Sequence, residues 1–206
     1  MTRLLRATLA AIDEAAASLR HGDLIAIPTE TVYGLAALPT AAGVERLLQA
    51  KQRSAEKGIQ LLIDSYDQAT ALGVMTDAAR RLADTFWPGG LTIVLARRDD
   101  ADLPEALGGG RPTIGLRLPD HEVPRALARS LGPIAASSAN VSGQPDATTA
   151  QRVAETLGDE VAVILDDGPV RGGTPSTVVD CSDPNGSVRV LREGAISSER
   201  ITAALH

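Results

Sequence analysis

Aromatic residues are nearly absent from this chain of 206 residues: one Trp, two Tyr and one Phe. The core must therefore be filled by Ala, Val, Leu and Ile, and a single-strand binder built on base stacking is disfavoured. Cysteine is as scarce. Cys181 stands alone, so no internal disulfide and no paired-cysteine zinc site can form. One thiol fits a reducing compartment. No apolar run approaches the roughly 20 residues of a membrane helix, and Leu9–Ile12, followed by Asp13 and Glu14, is too short for a signal-peptide core. A cytoplasmic protein without membrane contact is expected. Basic charge is also in deficit: the net charge is −6, which argues against a protein whose main task is to grip nucleic acid. A basic cleft inside an acidic protein remains compatible with that value, because clefts focus field.

The scarcest charged residue is lysine. Of twenty basic residues only two are lysines, and both fall in Lys51-Gln52-Arg53-Ser54-Ala55-Glu56-Lys57. Lysine is a compact point charge and arginine a planar fork. A site for nucleotide phosphates uses both, so Lys51, Arg53 and Lys57 are candidates to bind an anion. The plainer alternative is a solvated helix end.

Apolar runs and caps predict a fold of alternating helices and strands. Helices are expected over about 8–20, 41–52, 76–86 with Thr76 as cap, from Asp120 to about Leu131, 149–157 and 197–205. Strands are expected at 24–27, 59–63, 91–95, 113–118, 134–137 and 161–165. A hairpin at 176–180 and 187–191 turns through Asp183-Pro184-Asn185-Gly186. The polar stretches 99–112 and 168–175 read as mobile loops, either of which could close over a site. The class is α/β, a single domain over 1–206 with a twisted mixed sheet and flanking helices.

Three polar groupings stand at predicted strand ends, where α/β proteins place ligands. Pro28-Thr29-Glu30-Thr31-Val32-Tyr33-Gly34-Leu35 offers hydroxyls, a carboxylate and a phenol; its structural alternative is a turn in which Thr29 caps a helix. Ser137-Ser138-Ala139-Asn140-Val141-Ser142-Gly143 could wrap phosphate or ribose, or merely satisfy its own backbone. Thr113 and Arg117 share one face of a strand. Arg117 could grip a carboxylate in bidentate fashion, or pair with an internal Asp or Glu. Ser176 and Arg192 add a hydroxyl and a guanidinium. The chain has no Walker-type phosphate loop, no dinucleotide fingerprint and no nucleophile elbow. His21, His121 and His206 lack metal-ligand spacing, and His121 is expected to be exposed at a helix start.

In this order, with Lys57-Gly58, Phe86-Trp87-Pro88-Gly89, Gly115-Leu116-Arg117, Ser176-Thr177-Val178-Val179-Asp180 and Leu191-Arg192-Glu193-Gly194, the motifs resemble the YrdC/TsaC family of threonylcarbamoyl-AMP synthases. The resemblance runs from about Gly22 to Gly194 and is to the short, single-domain form. It implies a YrdC-like fold with a large cationic cavity. The implied substrates are ATP with Mg²⁺, L-threonine and bicarbonate or CO₂; the products are threonylcarbamoyl-AMP and pyrophosphate. Downstream proteins would pass the threonylcarbamoyl group to the adenosine beside the tRNA anticodon, with at most weak tRNA contact by this chain. Carried over by motif, Lys51, Arg53 and Lys57 hold the triphosphate, with Lys51 and Arg53 also catalytic. Thr113, Ser138 and Arg192 bind the nucleotide, and Asn140 shapes its loop. Thr31, Arg117 and Ser176 hold threonine, with Arg117 on the carboxylate. No side chain is assigned to the metal. Gly90 and Glu193 replace common prolines of the family, Glu193 adding negative charge beside Arg192. Leu62 replaces a histidine that some members place beside threonine. A non-catalytic RNA-binding module of the same fold is the second reading. A hydrolase or acyltransferase using a serine of 137–142 is the third, and it lacks a base.

Overall fold

The computed structural model describes residues 1–54 and 56–206. The strands are β1 (Arg3–Arg6), β2 (Ile25–Ile27), β3 (Gly34–Ala37), β4 (Gln60–Leu62), β5 (Gly73–Val74), β6 (Leu91–Arg97), β7 (Thr113–Arg117), β8 (Ile134–Ser138), β9 (Val163–Asp166), β10 (Thr177–Asp180) and β11 (Arg189–Arg192). The helices are α1 (Leu9–Arg20), α2 (Ala41–Ala50), α3 (Tyr66–Leu72), α4 (Asp77–Phe86), α5 (Glu122–Leu131), α6 (Ala150–Leu157) and α7 (Ser198–Ala203). Among the described residues all strands join one sheet in the order β1-β9-β2-β3-β8-β4-β7-β6-β10-β11, with β5 beside β6. The sheet is mixed, as expected: β4 and β7 are parallel, as are β6 and β10, while β3–β8, β4–β8 and β6–β7 are antiparallel.

Side chains alternate across a strand, so each strand feeds two cores. One face, with Leu35, Leu61, Ile93, Leu116 and Ile164, is covered by α2, α4 and α6. On the other face, Ile25, Ile27, Leu62, Ile134 and Val163 pack beneath α1 and α5. That second helical layer does not extend over β7, β6 and β10. The uncovered part of the face becomes the floor of a cavity. Among the described residues no helix is long and apolar enough to cross a membrane.

Local chemistry explains the helices. Thr8, Thr40, Thr76 and Thr149 each accept a bond from a first-turn amide. The apolar positions of α1 (Ala11, Ile12, Ala15, Ala16, Leu19) recur at helical spacing and are buried. Helix α2 ends where Gln52 enters the left-handed region, with φ 49°. That kink throws Lys51 and Arg53 in different directions.

Several expectations are corrected. Pro28–Leu35 is not a helix cap: Thr29 Oγ1 accepts from the amides of Thr31 (3.1 Å) and Val32 (3.2 Å), closing a turn into β3. Strands β1 and β3 and helix α3 lie in segments given no regular structure from sequence. Helix α5 is capped by His121 rather than Asp120, and the His121 side chain is 19% exposed, facing Asp167 at 3.4 Å rather than open solvent. The 99–112 stretch carries a 3₁₀ turn at Glu105–Gly108. It is tied down by the bond from Ile59 N to Leu107 O (2.9 Å) and by Arg97 Nη1 on Leu103 O (3.0 Å).

Candidate active site

Across β4, β7, β6 and β10 the register sets polar or small side chains in one row on the uncovered face. Gln60 pairs with Gly115, Gly115 with Val94, and Thr92 with Val178. Gly115 leaves the floor open, with Thr113 and Arg117 two residues to either side of it. The ends of β8 and β10 contribute Ser137, Ser138 and Ser176, and β11 contributes Arg192 at the rim. The far wall is two crossing loops, Gly58 against Leu107-Gly108. A Cβ on Gly58 would lie 2.8 Å from Leu107 O, and one on Gly108 2.5 Å from Thr113 O, so both crossings require glycine.

The resulting cavity, about 190 Å³, is lined by four arginines: Arg53, Arg111, Arg117 and Arg192. None of its described lining residues is a carboxylate. In a chain of net charge −6 this is a concentrated positive field, suited to polyanions.

Of the ten residues singled out from sequence, Arg53, Thr113, Arg117, Ser138, Ser176 and Arg192 line this cavity. Thr31 and Asn140 are buried directly behind the lining. Lys57 is exposed outside it, and only its backbone carbonyl meets Arg53 Nε, at 3.2 Å. Lys51 is 1% exposed and does not line the cavity. The placements of Lys51 and Lys57 differ from a triphosphate cradle in which both cations face the ligand.

Arg117 is anchored on three sides. Its Nε donates to Gly89 O (3.1 Å), and its Nη2 donates to Glu30 Oε1 (2.7 Å) and Thr31 Oγ1 (2.8 Å). The internal carboxylate pair considered from sequence is therefore present. It leaves Nη1 as the nitrogen for which no protein acceptor is found among the described residues, so a substrate carboxylate meets one nitrogen and not a free bidentate fork. Glu30 Oε2 is buried without a hydrogen-bond partner. Partial burial, then Arg192, lowers the pKa of Arg53. The two guanidiniums thus repel each other across the cavity, a cost that a bound anion would relieve.

Sequence reasoning missed Gln60, Thr92 and Arg111. Thr92 Oγ1 lies 2.5 Å from Gln60 Oε1 and 2.8 Å from Ser176 Oγ, linking three strands across the floor. The available signal was alternation: Gln60 and Thr92 each stand between buried apolar neighbours. The Glu193 carboxylate is turned to Ser198, where it accepts the backbone N at 2.9 Å and the hydroxyl. Its charge is spent at the start of α7, clear of the Arg192 guanidinium. Leu62 is buried under α5, on the same face of the sheet as Gln60 but outside the cavity lining.

The Sua5/YciO/YrdC family model, described as "Telomere recombination", matches residues 17–194. The chain belongs to the Sua5/YciO/YrdC family. A Bacillus subtilis relative, named threonylcarbamoyl-AMP synthase, is 40% identical over 94% of this chain and 56% of its own length. A Vibrio cholerae relative of the same name is 36% identical over 89% of this chain and 97% of its own length. The solved structure of Pyrococcus abyssi Sua5 complexed with L-threonine superposes with a TM-score of 0.90 at 37% identity, over 99% of this chain and 60% of that one. The chain thus spans little more than half of the Bacillus and Pyrococcus proteins. Like other members of the Sua5/YciO/YrdC family, it has a central mixed sheet with flanking helices.

Proposed function

We propose that this chain is an L-threonylcarbamoyladenylate synthase, forming threonylcarbamoyl-AMP and pyrophosphate from L-threonine, bicarbonate or CO₂, and ATP. The observation that carries the reading is the cavity of four arginines with no carboxylate among its described lining residues. The names of the Bacillus and Vibrio relatives and the threonine complex of the Pyrococcus protein support it.

The chemistry needs no nucleophilic side chain. Neutral threonine amine adds to bicarbonate, giving a carbamate and water. A carbamate oxygen then attacks the α-phosphorus, the bond from that phosphorus to the bridging oxygen breaks, and pyrophosphate leaves. Carboxylate, carbamate and polyphosphate repel one another, so the site must supply positive charge and alignment. In this reading Arg117 Nη1 and the Ser176 hydroxyl would take threonine. Thr113, Ser138 and Arg192 would take the nucleotide, and Arg53 and Arg111 its phosphates. Alignment of the attacking oxygen can supply roughly 7–11 kcal/mol of the barrier at best.

Among the described residues no cluster of His, Cys, Asp or Glu could hold a metal ion. Mg²⁺ would then enter with ATP, held by its phosphates. The product would pass to proteins that modify the tRNA adenosine, in the cytoplasm.

The test is pyrophosphate release from ATP, with threonine and bicarbonate each omitted in turn. Dependence on both is expected. Salt-dependent tRNA binding with no threonine-dependent turnover would instead establish the RNA-binding module.

A further inference from the structure

We propose that Lys51 is a positioning residue for the nucleotide loop and not a ligand of the phosphates. The inference rests on the nucleotide-binding reading above and assigns Lys51 a role that the motif alone does not suggest.

An ammonium has three N–H donors. In Lys51 all three are used. Nζ donates to Asn140 O at 2.7 Å, to Asn140 Oδ1 at 2.9 Å and to Ser138 O. No donor remains for a phosphate, and the side chain is buried behind the cavity wall. A second tie runs the other way, from Ser142 N to Lys51 O at 3.0 Å. The turn between Ser138 and Ser142 is thus held at both ends of one residue.

The clasp controls what the cavity sees. Asn140 Oδ1 also accepts from Ser138 Oγ at 2.6 Å, and Asn140 Nδ2 donates to Gln144 O at 2.6 Å. Ser138 lines the cavity; Lys51 and Asn140 do not. Without the cation, Asn140 O would lose its donor, Asn140 Oδ1 would keep only Ser138 Oγ and Ser138 O would keep the Asn140 amide, so the turn would loosen. Arg53 is the contrasting case. Its guanidinium bonds Gly58 O (3.0 Å), Lys57 O (3.2 Å) and only weakly Ser137 Oγ (3.4 Å), and it faces the cavity.

This also accounts for a lysine in a chain that otherwise uses arginine almost throughout. Three acceptors converging on one point suit a compact ammonium, whereas a planar fork spreads its donors. Burial, then the nearby Arg53 charge, lowers the Lys51 pKa to about 8, with Asp146 opposing. Arg53 and Asp146 are the charged groups that act on it.

Titration calorimetry with AMP and with Mg-ATP separates the roles, because only ATP carries the phosphates a ligand lysine would grip. Lys51→Met is expected to weaken both by the same factor, about 10- to 100-fold. Lys51→Arg keeps the charge and is expected to restore neither. Arg53→Ala should weaken ATP much more than AMP. Loss confined to ATP in Lys51→Met, or rescue by Lys51→Arg, would overturn the proposal. If the variants do not fold, the wild type decides: AMP affinity should fall as pH rises through about 8. AMP affinity that is flat from about pH 7 to 9.5 would also overturn it. A wild type that binds neither nucleotide fails the nucleotide reading itself, and this inference with it. Threonine-dependent pyrophosphate release with AMP binding insensitive to Lys51 fails the inference alone.

Discussion

Arg117 and Lys51 are both buried cations near one cavity, and they are kept in opposite ways. Arg117 has a carboxylate partner, Glu30, at 2.7 Å, and still presents to the cavity. Lys51 has three uncharged oxygens and does not line the cavity. A formal counter-ion neutralises Arg117 and leaves its geometry to do the recognition. Carbonyl dipoles hold Lys51 without neutralising it, and burial is the largest influence on its charge, ahead of Arg53 and Asp146. The comparison teaches that a cation at a functional site need not touch the ligand, and that the partner's charge indicates which role it has.

The comparison is broken most severely at Arg117. Replacing it by Met leaves the largely buried Glu30 carboxylate, 16% exposed, with no counter-ion, and its Oε2 already has no hydrogen-bond partner among the described residues. Removing one member of a buried pair costs about 3–5 kcal/mol. Urea denaturation should show a loss of that size, and threonine-dependent turnover should disappear. The double variant Glu30→Gln/Arg117→Met should recover at least half of the stability and none of the turnover. Equal stability of Arg117→Met and wild type would show that the pair is not energetically buried.

Much of this arrangement was legible in the residues. Four of the strands that surround the cavity were readable as apolar runs, at 59–63, 91–95, 113–118 and 134–137; the apolar spacing of Val44, Leu47 and Leu48 located α2 and the Thr76 cap located α4. Strand β3 was not. Gly34-Leu35-Ala36-Ala37 has no β-branched residue, and it is a strand because β2 and β8 pair with it on both sides. Helix α3 buries only Ala69, so it has almost no apolar period to detect. At the site, polar groups at strand ends located the cavity correctly. The direction of each cation was not readable, because a single left-handed residue, Gln52, decides it. Nor was Glu30 legible as the partner of Arg117, which lies 87 residues away.

A milder change sharpens the same contrast. Glu30→Gln keeps an acceptor for Arg117 Nη2 and removes the competing negative charge. Stability should fall by at most about 1.5–3 kcal/mol, the range for a hydrogen bond to a charged group. The guanidinium should then attract the threonine carboxylate more strongly, and the KM for threonine should fall several-fold in initial-rate pyrophosphate assays. A rise in that KM would instead show that Glu30 itself holds the substrate, most simply by its amine.

The smallest effect concerns Lys51 and is read from pH. Its pKa is about 8 in the folded protein against 10.5 as the ordinary value. Between these values the unfolded chain binds a proton that the folded chain does not. Stability therefore rises with pH from this residue, by at most about 1.4 kcal/mol per unit. Burial works the other way on Cys181, lifting the thiol from 9.0 to about 12, so that its contribution falls as pH rises above 9. The clean window is accordingly pH 8 to 9. Urea midpoints across it should rise in wild type and stay level in Lys51→Met. The rise should coincide with the weakening of AMP binding, because losing the proton relieves the cost of a buried charge while loosening the turn that the charge holds. A rise that persists in Lys51→Met would assign it to another group and remove the energetic half of the contrast with Arg117.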